Sequence, residues 1–242
     1  MKKSIGMFLL GATLAFGLAC AAYIASRAAI KMSRAETIRV KGSAAQQVRS
    51  DFGIWSGSVS VAAPAQEAAA LRLSEAEKQI TEYITAVGFK PQEIVWGSIA
   101  ITVNYKKNDK GIATNDVHSV QLSRSLEISS RDVDRLETLN RNFTDLVKRG
   151  IQVANDGANY TVSKLDDYKM NLLNAATENG YRRAQVLAAA AGGKVGALLS
   201  ASQGIFQVLA PGGGNISDYG TYDKSTIMKE IKAVVTLEFS VK

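Results

Sequence analysis

The residues that could do chemistry in this 242-residue chain are few and scattered. It has one histidine, His118, and one cysteine, Cys20. Nucleophilic catalysis by serine or cysteine needs a base beside the nucleophile. The imidazole falls on the apolar side of an alternating segment, with Val120, Leu122 and Arg124, where a structural role is expected. A zinc site draws three or four ligands from Cys, His and carboxylates, and one histidine without a usable cysteine cannot supply the usual sets. The carboxylate pairs Glu75/Glu77, Asp132/Asp134 and Asp166/Asp167 have a spacing that acid–base work could use. They fall on helix starts or solvated helix faces, where capping and the helix dipole account for them. GGKVG at 192–196 lacks the P-loop spacing and its Ser/Thr, and it reads as a helix stop. Gly212-Gly213-Gly214 could cradle an anion through backbone amides, but no helix start follows to add its dipole. Asn108, Asp109, Asn115 and Asp116 make a polar loop without the order of an EF-hand. The sequons at Asn142, Asn159 and Asn215 matter only in a host that glycosylates exported proteins. No catalytic, cofactor-binding or metal-binding residue is assigned; the expectation is a non-enzymatic chain without a cofactor.

Charge is unevenly distributed. The formal net charge is +7 with a pI of 9.4, a balance that raises nucleic acid as a partner. Lys2, Lys3, Arg27, Lys31 and Arg34 all precede the first acidic residue, Glu36, however. Removing those five from 29 basic residues leaves 24 against 22 acidic ones, so the rest of the chain is close to neutral. Aromatic residues are sparse and not interleaved with basic ones, so no nucleic-acid surface is expected. Between Lys3 and Arg27 run 23 uncharged residues. As a helix they would extend roughly 34 Å, enough for a hydrocarbon core of about 30 Å. The expectation is a membrane anchor and juxtamembrane segment over 1–35, with the span at about 5–26, contacting lipid. Two alternatives stand beside it. One is a cleaved signal peptide, with Lys2-Lys3 as its basic start and Ala19 and Ala21 near a cleavage site. The other is a lipoprotein modified at Cys20, although Gly17 stands where a large aliphatic residue would be needed. No second cysteine exists, so no intrachain disulfide can form. Positive charge flanks both ends of the run, so it does not decide orientation; the short N-terminal tail favours export of the long C-terminal part.

Three helices and several strands must carry whatever the chain does. A helix opening near Pro64 places Leu73, Ala76, Ile80, Ile84 and Val87 on one stripe and stops at Gly88. A second runs from about 131 to 149 with Val133, Leu136, Leu139, Phe143 and Leu146 on one side, Ser129 and Asp132 at capping-box spacing before it, and Gly150 behind. A third, rich in alanine, runs from about 167 to 191 and stops at Gly192-Gly193. Strict alternation marks 227–241 as a half-buried antiparallel strand, with Ile231, Ala233, Val235, Leu237 and Phe239 facing in. The stretch 94–105 puts Val95, Ile99, Ile101, Val103 and Tyr105 on one face, and 117–129 pairs with the same logic. Weaker strands are read at 37–44, 49–62, 158–165 and 195–209, with a bulge expected around Gly53 and Gly57. The order β-β-α-β-β-α-β-α-β-β predicts an α+β fold with a mixed, largely antiparallel sheet. Residues 210–225 read as an exposed loop.

The strand IRVKGSA at 38–44, the following strand with Asp51 and Trp55, the V-G-F turn at 87–89 and NGYRRAQVLAAAAGGKVGAL at 179–198 together resemble the SIMPL-domain family. That is a broad bacterial group of periplasmic or membrane-attached proteins, and the likeness covers residues 36–242. One departure is Asn179-Gly180, where members more often continue an alanine- and acid-rich helix; it sets a glycine inside the third helix at a cost of about 1 kcal/mol. The resemblance implies a domain of poorly defined function, no catalytic residues to carry over, and a tendency to self-assemble. Together with the expected anchor, it implies a single-pass protein of the bacterial inner membrane, with the domain 36–242 in the periplasm or outside the cell. The expected function is interaction or assembly as a homo-oligomer, linked to envelope integrity or stress tolerance, with a membrane pore as a variant. The alternative is binding of a small molecule or cell-wall fragment.

Overall fold

The computed structural model describes residues 15–26, 36–213 and 220–242. Residues 15–26 form a helix, α1; the rest of the anchor read at 5–26, the juxtamembrane cations Arg27, Lys31 and Arg34, and residues 214–219 of the glycine-rich loop lie outside the described residues. Among the described residues no helix is long and apolar enough to cross a membrane. The remainder is α+β, with β1 (Thr37–Arg49), β2 (Phe52–Ala63), α2 (Gln66–Val87), β3 (Ile94–Lys107), β4 (Ala113–Ser130), α3 (Val133–Asn142), β5 (Val153–Thr161), α4 (Leu165–Ala190), β6 (Val195–Gln203), β7 (Gln207–Leu209) and β8 (Met228–Val241). The segment 195–209, expected as one strand, is two, because residues 204–206 leave the ladder.

Contacts divide the chain into two compact units. The larger comprises Ala45–Leu172 and Ile205–Lys232. Its sheet has the order β3-β4-β2-β5, antiparallel throughout. Helices α2 and α3 contact β2, and the apolar stripes read from the sequence become the core: Leu73, Ile80 and Ile84 of α2 and Leu136 and Leu139 of α3 are buried with Trp55, Val59, Leu126 and Ile128. Full burial of each such aliphatic side chain contributes about 1.5–3 kcal/mol. Gly88 ends α2 in the left-handed region at φ 107°, where a Cβ would be strained. Asp132 caps α3 by accepting from the Arg135 amide. The predicted helix 131–149 tightens after Asn142 into a 3-10 stretch, Phe143–Arg149, closed by Gly150. Phe143, whose amide still bonds the Leu139 carbonyl in helical fashion, is buried as the stripe predicts, and its ring meets Trp55 edge-on at 4.5 Å. The bulge expected around Gly53 and Gly57 exists at Ser56/Gly57, but the extra residue is Asp156, on β5: Ser56 faces Gly157 and Gly57 faces Asn155.

The smaller unit comprises the described residues up to Ala44 with Leu173–Gly204 and Ala233–Lys242. Here β8 lies between β1 and β6 and shows the predicted alternation, with Ala233, Val235, Leu237 and Phe239 buried. The α4 residues Ala176, Ala184 and Ala188 are buried and Gly180 shares their stripe. Gly180 does not interrupt α4, which is continuous through it. A Cβ on Gly42 of β1 would stand 2.1 Å from the Ala176 carbonyl oxygen and 2.6 Å from the Gly180 nitrogen. Helix and strand backbones therefore touch at Gly42 and Gly180, and this contact offsets the helix cost of the glycine.

Candidate functional site

The residues singled out for chemistry end up apart. Asp132 caps α3 and pairs with Arg135, Asp134 pairs with Arg49, Asp166 with Lys169, and Glu77 with Arg124. Among the described residues no cluster of three His, Cys, Asp or Glu could hold a metal ion. His118 departs from the expectation of a packed structural residue, for it is exposed. The reason is a register shift in which Asn104 faces Ser119 while Tyr105 faces Val117. His118 is the extra residue of that bulge, in a stretch of β4 where residues 115–118 are all exposed whatever their parity. Asn108 closes the hairpin tip, its side chain accepting from the Lys110 and Ile112 amides, whereas Asn115 and Asp116 lie within β4. Gly192, at φ 78°, follows α4 as the stop read from GGKVG.

Three arrangements remain. The first is the β3–β4 hairpin. Trp96 faces Leu126 and Ile99 faces Arg124, so β3 carries one extra residue at Gly97-Ser98. Before the bulge the even-numbered Ile94 and Trp96 share the core face; after it the odd-numbered Ile99, Ile101 and Val103 do, opposite Arg124, Leu122 and Val120. Arg124 secures the bulge by donating to the Gly97 carbonyl at 2.7 Å, pairing with Glu77 at 3.0 Å and lying over the Trp96 ring. Leu122 and Val120 are buried, yet Ile99, Ile101, Val103 and Tyr105 are 48, 53, 40 and 49% exposed. β3 is one of the two edge strands of this sheet, β5 being the other. An apolar sheet face and an open backbone edge thus coincide.

A groove in the smaller unit is the second. Asn179, Arg182, Arg183, Val186 and Leu187 recur at three- and four-residue steps, which puts them on one face of α4, and with Arg39, Val40 and Lys41 of β1 they line a volume of about 520 Å³. The Asn179 side chain accepts from the Ser43 amide at 3.2 Å and Arg183 donates to the Lys41 carbonyl at 3.3 Å. Val186 and Leu187 are exposed. Arg39 and Lys41 alternate with the buried Val40 and with Gly42, so they share the face of β1 opposite the one that packs on α4, and Arg182 pairs with Glu178.

Third is a buried charge that the sequence reading passed over. Lys229 shares the inward parity of β8 and is wholly buried. Its ammonium donates to the Asp223 and Thr226 carbonyls at 2.6 and 2.7 Å and stands 3.6 Å from the Asp223 carboxylate. Burial pulls the lysine down, against the opposing pull of Asp223. Burial raises the Asp223 carboxyl, but hydrogen bonds from Thr226 and Ser225, with the nearby Lys229 charge, outweigh it and hold the group at about 2. A similar network surrounds Glu137. The Tyr160 hydroxyl donates to it at 2.6 Å and Arg141 at 2.6 Å; burial and then Glu137 push the phenol up. All these donors and acceptors are matched to one another, which is the pattern of a clamp and not of a group poised to transfer a proton. A lysine on the core-facing parity of an otherwise apolar strand was the sequence signal for the first of these networks.

No curated protein matches the chain. Residues 38–239 match the family model described as SIMPL, protein of unknown function (DUF541). The match runs from the second residue of β1 to the buried Phe239 of β8 and takes in both units. The chain belongs to the SIMPL family.

Proposed function

We propose that the protein is a membrane-anchored, extracytoplasmic interaction or assembly module, that it is not an enzyme, and that it self-associates through the β3–β4 hairpin. The observation that carries this reading is the apolar stripe Ile99, Ile101, Val103 and Tyr105, lying on the core side of the sheet beside an open strand edge. Edge backbone supplies hydrogen bonds to a partner strand, and the stripe supplies apolar area for its neighbour to cover. The uncharged run from Ser4 to Ser26 supports the anchor, and the scatter of ion-paired carboxylates supports the absence of catalysis. The domain would sit in the periplasm or outside the cell, held at the inner membrane, in a role in envelope integrity.

The full chain, solubilised in a neutral detergent, should run as a multimer in size-exclusion chromatography with light scattering. Ile101→Asp with Val103→Asp should reduce it to the protomer without unfolding it, since both side chains are half exposed already. A wild-type protein that stays monomeric at high concentration would sink the reading. Membrane fractions washed with alkaline carbonate should retain the protein; its release would refute the anchor.

The groove favours a second reading, in which the smaller unit binds a small molecule or envelope fragment.

A further inference from the structure

We infer that β3 pairs antiparallel with β3 of a second copy about a two-fold axis at Ile101, so that Ile101 meets Ile101 and Ile99 meets Val103 across the junction. The inference deepens the assembly reading above and rests on it, naming the partner strand and its register.

Hydrogen-bond phase carries the argument. In an antiparallel ladder each residue turns both its N–H and its C=O to one neighbouring strand, and the next residue turns them to the other. The Ser60 amide donates to the Gln152 carbonyl at 2.9 Å, so the even-numbered residues of β2 address β5. Tyr160 agrees with this phase, because its amide turns away from Gly53 and donates to the Lys224 carbonyl. Val59 and Val61 therefore address Arg124 and Leu122 of β4. That leaves Ser123 and Gln121 to address Ala100 and Thr102 of β3. Ile99, Ile101 and Val103 then direct their N–H and C=O groups outward at the open edge, and the same three residues carry the half-exposed apolar stripe.

Symmetry selects the partner. Antiparallel pairing about an axis normal to the sheet keeps the stripes of both copies on one face, whereas two-fold parallel pairing would turn one of them over. Only the register centred on Ile101 matches each of the three outward residues with another of the three. It forms about six backbone hydrogen bonds between the copies and sets β-branched side chains beside one another across the junction. Moving the axis by one residue brings Gly97 or Tyr105 into the set, and each of these lies at a bulge. The straight window Ile99–Asn104 holds no charge that would repel its own copy. Other edges suit pairing less well. β5 is interrupted by the bulge at Asp156, and its Tyr160 amide is already taken by Lys224. β1 carries Arg39 and Lys41, and β6 keeps unbroken register only over 200–203.

The test uses the full chain in a neutral detergent, with Cys20→Ser to remove the native thiol and one new cysteine per variant. At position 101 the Cα atoms of the two copies would stand about 5.5 Å apart, within the reach of a disulfide. At 99 or 103 each residue would lie roughly 14 Å from its own counterpart, four residues along the strand, and out of reach. Oxidised with copper phenanthroline, Ile101→Cys should run as a covalent dimer on a non-reducing gel. Ile99→Cys and Val103→Cys should each run as the protomer alone and cross-link to one another when co-expressed. Light scattering on the reduced proteins reads assembly separately. An assembled protein in which Ile101→Cys stays uncoupled and 99 does not couple to 103, or in which Ile99→Cys couples to itself, would overturn this register and leave the assembly reading standing. A Cys20→Ser chain that is monomeric at high concentration would remove both.

Discussion

The contact between Gly42 and Gly180 yields the sharpest prediction, because the two glycines meet different obstacles. A methyl group added at Gly42 would stand 2.1 Å from the Ala176 oxygen and 2.6 and 2.7 Å from the Gly180 nitrogen and Cα. All three are backbone atoms, and none can rotate away. Carbon and oxygen approach no closer than about 3.3 Å without strain, so β1 and α4 must separate by on the order of 1 Å. Ala176, Ala184 and Ala188 would then lose packing against the sheet. Overpacking typically costs about 1–3 kcal/mol, and an obstacle made of backbone belongs at the upper end, about 3 kcal/mol. For a chain of this size that lowers Tm by roughly 6–12 °C. Gly180→Ala behaves otherwise. Its methyl would meet the Leu237 Cδ1 tip at 2.8 Å and the Gly42 Cα at 3.3 Å. A leucine tip can turn, and alanine gains about 1 kcal/mol of helix propensity over glycine, so the two effects nearly cancel. Thermal unfolding followed by far-ultraviolet circular dichroism should place Gly180→Ala within about 3 °C of wild type, with Gly42→Ala well below. If Gly42→Ala melts like wild type, or Gly180→Ala is the worse of the two, the close contact does not hold α4 in place.

Two further outcomes follow from the buried networks. The folded Asp223 carboxyl is held at about 2 against an ordinary 3.8, so its contribution is complete above pH 4 and is lost as the pH falls towards 2; with the side chain 16% exposed it amounts to roughly 2 kcal/mol. Asp223→Asn should lose that amount at pH 7, and melts of variant and wild type should converge near pH 2; curves that stay apart by the same interval at both pH values would refute the linkage. Tyr160→Phe removes the donor to Glu137 at 2.6 Å and should cost about 1.5–3 kcal/mol, the range for a hydrogen bond to a charged group, read as a lower urea midpoint with an unchanged slope.

The helices were legible because their apolar spacing is self-sufficient: the stripe Leu73, Ala76, Ile80 and Ile84 needs only one face to cover, whatever covers it. Strand β8 was legible for the same reason with period two. What the sequence could not carry was register. The bulges at Gly97-Ser98 and at His118 each shift the side-chain parity by one, and neither leaves a trace in composition that distinguishes it from straight strand. Val95, Ile99, Ile101, Val103 and Tyr105 share odd numbers and read as one face, yet Val95 lies on the opposite side of the sheet from the other four. His118 appeared to face inward by the same counting. Gly180 misled in the opposite direction: local propensity marks it as a weak point of α4, whereas the partner that compensates it, Gly42, is distant in sequence. Lys229 was overlooked because its neighbours on β8 fit a simple alternation well enough without it.

Two strand edges in the molecule are treated differently, and the difference bears on what the protein does. At β1 the edge carries Arg39 and Lys41, and the Arg183 side chain reaches down to the Lys41 carbonyl. Charge and a side-chain cap are common means of preventing an edge from pairing with another chain. Between its bulges β3 runs straight from Ile99 to Asn104, with no charged residue in that stretch and three half-exposed β-branched side chains on its core-side face. Its lysines, Lys106 and Lys107, come only at the end, beyond the second bulge. A sequence selected only to keep this domain monomeric would have little reason to guard one edge and leave the longer, more apolar one open. If β3 is instead the paired edge, a lysine placed at Ile101 or Val103 should dissociate the assembly, while charge reversal at Arg39 and Lys41 should leave its mass unchanged.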